Sequence, residues 1–172
     1  IGEAIDVAIR VRFPPVEDSD LTMRVLGDST QRIVGSWKLA EALPGPARPA
    51  ELAALPSLDL HRQGREHVWE LDGPDRAHVR IRHTPRLVTD DMSQLLHAAK
   101  EGVGAVQLPR MVAEDAIRRG EIVDLLPDWS PTAGEVQAIF PTRRGLLPSV
   151  RSFIDFLVAE YEARSGAGDL AS

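Results

Sequence analysis

Residues 90–129, DDMSQLLHAAKEGVGAVQLPRMVAEDAIRRGEIVDLLPDW, limit the possible folds of this chain more than any other stretch. Met92, Leu95, Leu96 and Ala99 recur at helical spacing, so an apolar stripe needs cover, and Asp90 is expected to cap that helix. Gly102 stops it, since a residue without Cβ takes the left-handed turn at little cost. Ala105 to Leu108 reads as a short strand, Pro109 suits the first turn of a second helix, and Gly120 ends that one. Ile122 to Leu126 then reads as a strand again. Helices alternating with short apolar strands argue for an α/β architecture with a mainly parallel sheet.

Upstream, Ile5 to Val11 has the apolar, β-branched pattern of a strand buried on both faces. Phe13 to Asp20 is a proline-held loop, and Leu21 to Leu26 and Gln31 to Val34 are extended segments broken by a turn at Gly27-Asp28-Ser29. Ser36 is placed to cap a short helix, Trp37 to Leu43, that stops before Pro44-Gly45-Pro46, and Pro49 opens another through Leu55. Leu58 to Leu60 is a strand, and Arg62 to Glu66 a polar loop. Val68 to Leu71 and His78 to Arg82 alternate as two strands joined at Asp72-Gly73-Pro74. Glu135 to Phe140 is a further strand. A final helix from Leu147 through Tyr161 should bury Val150, Phe153, Ile154 and Leu157, leaving Ser165 to Ser172 frayed.

At 172 residues the chain holds one domain or two small lobes. The net charge of −6, from 20 basic and 26 acidic residues, makes it a poor nucleic-acid binder by itself. Arg118-Arg119 and Arg143-Arg144 read as solvated faces or helix ends. Without cysteine, thiolate nucleophiles, disulfides and Cys-ligated zinc are excluded. No apolar run approaches the roughly 20 residues of a membrane span, and no signal-peptide pattern opens the chain. Ile1 is not an initiator Met, and the chain is read as a fragment of a longer protein.

The order and spacing of DVAIR at 6–10, SDLTMRVLGDSTQRIVGSWKL at 19–39, GPARPAELAALPSL at 45–58, WELDGPD at 69–75, TDDMSQLLHAAKEGVGAVQLP at 89–109, GEIVDLLPDWSP at 120–131 and FPTRRGLLPSVRSFIDFL at 140–157 resemble the effector-binding domain of LysR-type transcriptional regulators. The chain departs from the family's usual Ser-Pro-x-Tyr-Leu helix start, having Ser36-Trp37-Lys38-Leu39. The resemblance implies two Rossmann-like α/β lobes joined by two crossover strands, like type 2 periplasmic binding proteins, with a small inducer in the cleft. Lobe one is expected at 1–34 plus 138–172, lobe two at 35–137, with crossings near Arg32 to Ser36 and Gln137 to Pro141. It also implies a winged helix-turn-helix and a first strand-helix-strand that this chain lacks, and assembly as a homodimer or homotetramer.

The family's cleft maps here onto Ile9, Arg10 and Val11, the loop following Leu60 with His61 and Arg62, and the helix start at Thr89 and Asp90. A helix N-terminus suits a ligand carboxylate, although Asp90 can equally serve only as a cap. Arg62 can pair bidentately with an anion or be an exposed loop arginine, and Arg10 can face either cleft or solvent. Gln107 at a strand end can offer an amide. His67, His78, His83 and His97 lack metal-ligand spacing, and no nucleophile elbow, Walker loop or dinucleotide fingerprint occurs, so no cofactor, metal or catalytic residue is expected. Trp37, Trp69 and Trp129 read as core or lobe-edge packing, with stacking on an aromatic effector as the alternative. A transporter's solute-binding protein is the competing assignment, and an enzyme on this fold a weaker one.

Overall fold

The computed structural model describes residues 6–13, 22–43, 48–61, 66–140 and 147–168. The expected loop 14–20, Pro44-Gly45-Pro46, Arg62 and Arg143-Arg144 lie outside them. In chain order the elements begin β1 (Ala8–Arg12), β2 (Thr22–Ser29), β3 (Gln31–Gly35), α1 (Trp37–Glu41), α2 (Pro49–Leu52) and β4 (Ser57–Leu60). Then follow β5 (Val68–Asp72), a 3-10 turn (Pro74–Arg76), β6 (His78–Arg82), β7 (Pro85–Thr89), α3 (Met92–Lys100) and β8 (Val106–Pro109). The last are α4 (Arg110–Arg118), β9 (Val123–Asp124), β10 (Ser130–Pro131), β11 (Gly134–Phe140) and α5 (Pro148–Gly168). They form two compact units, residues 1–29 with 133–172, and residues 30–132.

In the second unit β4 runs parallel to β7, and a parallel bridge between Ser57 and Ala105 joins β4 to β8. β3 then pairs antiparallel with both β8 and β9. Alternation along the strands gives this sheet two apolar faces. Val34, Leu58, Val106 and Leu108 pack against Leu95 and Ala99 of α3 and Ala113 and Ala116 of α4. Ile33 and Ala105 meet Leu52 of α2 and Trp69, Leu71 and Ile81 of the β5–β6 hairpin. The hairpin forms as read, with Val68 opposite Arg82 and Asp72 opposite His78. The expected mainly parallel sheet is corrected. Only β4 with β7 and the β4–β8 bridge are parallel among the described pairings, because β3 arrives from distant sequence and pairs against their direction.

In the first unit β11 is the central strand between β1 and β2, both antiparallel to it. Leu26, Val136 and Ala138 form its small core, with Leu157, Val158 and Tyr161 of α5 packed on it. Several readings change here. β1 is not buried on both faces: Ile9 and Val11 are exposed, because β1 is an outer strand of this three-stranded sheet. Gly27-Asp28-Ser29 is not a turn: β2 runs through it, and the irregularity is a bulge that slips the pairing past Leu26. On α5, Ile154 is buried but Phe153 is exposed, and the helix continues to Gly168 past the expected end at Tyr161.

Two helix starts differ as well. Ser36 does precede α1, but it accepts through its carbonyl, from Leu39 and Ala40, while its hydroxyl makes no capping bond. Asp90 is not the cap of α3; Asp91 is, its carboxylate accepting from the N–H of Ser93 at 2.8 Å and of Gln94 at 3.4 Å. β7 extends to Thr89, one residue further than two apolar letters indicated, and pushes the helix start along the chain. Gly102 and Gly120 do end their helices, with φ of 74° and 70°.

Candidate functional site

The parallel strands of the second unit end together, and open α/β sheets collect ligand groups at such ends. Leu60 is in register with Thr89, and the His61 N–H donates to the Thr89 carbonyl at 2.8 Å, so His61 and Asp90 are the first residues beyond two neighbouring strands. Beside them β8 passes directly into α4, whose first residue Arg110 donates its N–H to Thr30 O at 2.8 Å. Of the expected residues, Leu60, His61, Thr89 and Asp90 are brought together here. Gln107 is half-buried on the neighbouring β8, opposite Ile33 and on the other strand face from Val106 and Leu108. Leu60 turns its side chain into the core shared with α3. His61 and Asp90 are exposed.

The two helix N-termini at this edge differ in their capacity for an anion. At α3 the Asp91 carboxylate already takes two of the N–H groups, chiefly that of Ser93, and these bonds hold its pKa below the usual carboxylate value. Thr89 Oγ1 accepts the Asp91 N–H at 3.3 Å, which closes the turn. At α4 the cap position is Pro109, which offers no side-chain acceptor. An incoming carboxylate therefore meets less competition at α4 than at α3. Arg110 stands at that start, paired with Glu114 one turn on.

Ile9, Arg10 and Val11 lie on β1 of the first unit, Arg10 exposed and opposite Gln137. A recess of that unit, about 390 Å³ beside Asp6, Val7, Ser149, Val150 and Phe153, includes none of them. Among the tryptophans, Trp69 is buried and Trp129 lies against Gly73, as packing requires. Trp37 is not a core residue: its ring is exposed, anchored by Nε1 donating to the Gly120 carbonyl at 2.9 Å.

Sequence reading missed a polar cluster on the hairpin side of the same sheet. Ser57 and Asp59 alternate with Leu58 and Leu60, so their side chains leave β4 on the face away from α3. Asp59 Oδ2 meets His67 Nδ1 at 2.7 Å, Ser57 Oγ meets His83 Nδ1 at 2.8 Å, and the His83 ring stacks on Trp69 at 4.1 Å. Burial pushes the His83 pKa down, with Asp59 opposing it. The signal was present: a polar residue at every second position of an otherwise apolar strand. No group of three or more His, Asp or Glu suited to a metal occurs among the described residues.

Residues 2–162 match the family model of the LysR substrate binding domain. The chain belongs to that family. It is 30% identical over 158 residues to the HTH-type transcriptional regulator PtxR of Pseudomonas aeruginosa, a match that covers 91% of this chain and 49% of the relative. The chain thus spans about half the length of the curated relatives it matches. In structure it is similar to the regulatory domain of an AphB variant from Vibrio vulnificus, with a TM-score of 0.75 and 25% identity over 90% of this chain and 75% of that one. CrgA, a LysR-type transcriptional regulator from Neisseria meningitidis, shares the fold at a TM-score of 0.74 and 24% identity, over 91% of this chain and 52% of that one. The α/β architecture is therefore that of LysR regulatory domains, and no described helix is long and apolar enough to cross a membrane.

Proposed function

We propose that this LysR-family domain senses a small anionic or aromatic effector for a cytoplasmic, DNA-binding transcription factor, with binding and no turnover. The observation that carries the site is the shared strand edge, where His61, Thr89 and Asp90 stand beside the α4 N-terminus with its Pro109 cap. An effector carboxylate would use the helix end and its partial positive charge, and the imidazole of His61 would orient it. Ile9, Arg10 and Val11 of the lobe at 1–34 plus 138–172, and Leu60, Arg62 and Gln107 of the lobe at 35–137, are proposed as further effector-binding residues. DNA contact would belong to a winged helix-turn-helix outside this chain, in a homodimer or homotetramer, and the effector would act by shifting the balance between conformations of that assembly.

Benzoate, an aromatic carboxylate, is a suitable first probe for thermal-shift and calorimetric titration of the chain. Saturable binding that raises Tm, and that weakens about tenfold or more in His61→Ala, supports this site; binding unaffected by that change places the anion elsewhere. For the whole protein, fluorescence anisotropy on the DNA upstream of its own gene tests the regulator assignment, and absence of sequence-specific binding would overturn it.

A further inference from the structure

The Asp59 cluster has one carboxylate and two imidazoles. Asp59 Oδ1 accepts the N–H of Leu60 at 2.8 Å, which leaves Oδ2 for the histidines. His67 Nδ1 holds it at 2.7 Å, while His83 Nε2, buried and without a hydrogen-bond partner, is 3.9 Å away. The two histidines are also paired through the backbone, with His83 N donating to His67 O at 3.1 Å, so together they form the open end of the β5–β6 hairpin. Their surroundings differ: the His67 side chain is 34% exposed and that of His83 is 3%.

We propose that this end of the hairpin is a proton-operated positioning device for β4: while His83 is neutral, His67 holds the Asp59 carboxylate, and when His83 gains a proton it takes Asp59 over and His67 is released. A neutral imidazole at Nε2 is tolerable against the Trp69 ring, but an imidazolium there needs a charged partner. Asp59 is the only carboxylate within reach among the described residues. Glu66 is taken up by Arg80 and Arg82 at 3.7 and 3.3 Å, Glu51 on α2 closes its own helix by accepting the Arg48 N–H, and Arg86 on β7 is exposed. One carboxylate cannot balance two imidazolium rings 6.0 Å apart, and the ring that can reach water is His67. Burial delays this event to pH values below the ordinary 6.5 of histidine.

The carboxylate that moves is bonded to the backbone of Leu60, and His61 follows. The swing is therefore transmitted to the strand end that carries the proposed effector residues. That consequence rests on the effector reading, whereas the exchange of partners does not.

The test follows ring-nitrogen NMR shifts of the five histidines from about pH 8 to about pH 5 in the chain without effector, with the tryptophans fluorine-labelled to isolate Trp69. The expected result is a His83 titration with its midpoint below 6.5, accompanied at the same pH by a shift of the His67 ring nitrogens and of the Trp69 resonance. In His83→Gln that His67 shift should vanish while the fold is kept. In Asp59→Asn the shared midpoint should be lost. If either variant fails to fold, the native curves decide alone: a His67 ring that does not respond at the His83 midpoint, or a Trp69 signal silent until unfolding, overturns the proposal. Benzoate binding can succeed or fail independently of these curves, so the two readings fall separately.

Discussion

Glycines at two superficially similar turns answer to different constraints. A Cβ at Gly104 would stand 2.8 Å from the carbonyl oxygen of Pro56, a backbone atom fixed by the β4–β8 bridge. Gly104→Ala is therefore expected to cost about 1–3 kcal/mol by urea denaturation. At Gly120 a Cβ meets nothing within 4 Å, and only the φ of 70° opposes substitution. Gly120→Asn should accordingly be nearly neutral, since Asn tolerates that region. The capping residue of α3 gives a sharper comparison. Asp91→Ala should lower Tm measurably and Asp90→Ala should not, which checks the corrected helix start directly. Because the folded pKa of Asp91 is depressed, its stabilising contribution is present above the unfolded value of 3.8 and is lost as pH falls through the folded one. Glu121, held down to about 2 chiefly by its bond from Arg119, behaves the same way from 4.5 downward, so the Tm difference between Glu121→Gln and the native chain should shrink in acid.

The helices and strands were legible wherever one rule decided them. α3 and α4 follow from apolar periodicity, Pro109 and two glycines, though not the Asp91 cap, and the β5–β6 hairpin from alternation around Asp72-Gly73-Pro74. β2 was not legible through Gly27-Asp28-Ser29, because turn residues in sequence can also sit in a bulged strand when a partner supplies the hydrogen bonds. α5 carries both kinds of residue: its periodicity marked Ile154, but it also placed inside Phe153, which the structure leaves at the surface with Phe156. The energetic consequence separates the elements. Leu95→Ala in α3 removes a fully buried side chain and should cost about 2–5 kcal/mol in chemical denaturation. Phe156→Ser on α5 should change stability by no more than about 0.5 kcal/mol.

At the scale of the molecule, the first unit exposes a set of large apolar side chains among its described residues. Ile9 and Val11 on β1, Val25 on β2, and Phe153 and Phe156 on α5 are all large and exposed. Scattered exposed apolar residues are ordinary, but a set of this size on one small unit favours association. Light scattering of the isolated chain is expected to show a mass that rises with concentration, and Phe156→Ser should lower it; a stable monomer across the range would contradict this.

The sequence by itself determined the family, the α/β alternation and the position of most elements, since caps, prolines, glycines and periodicity are local. It also placed His61, Thr89 and Asp90 at the ends of elements. Only the tertiary structure decided that β4, β7 and β8 end at one edge, that Asp91 already occupies the α3 N-terminus, and that Asp59, His67 and His83 meet. Those facts depend on strand register and on contacts between residues far apart in the chain, and local propensity carries no information about either.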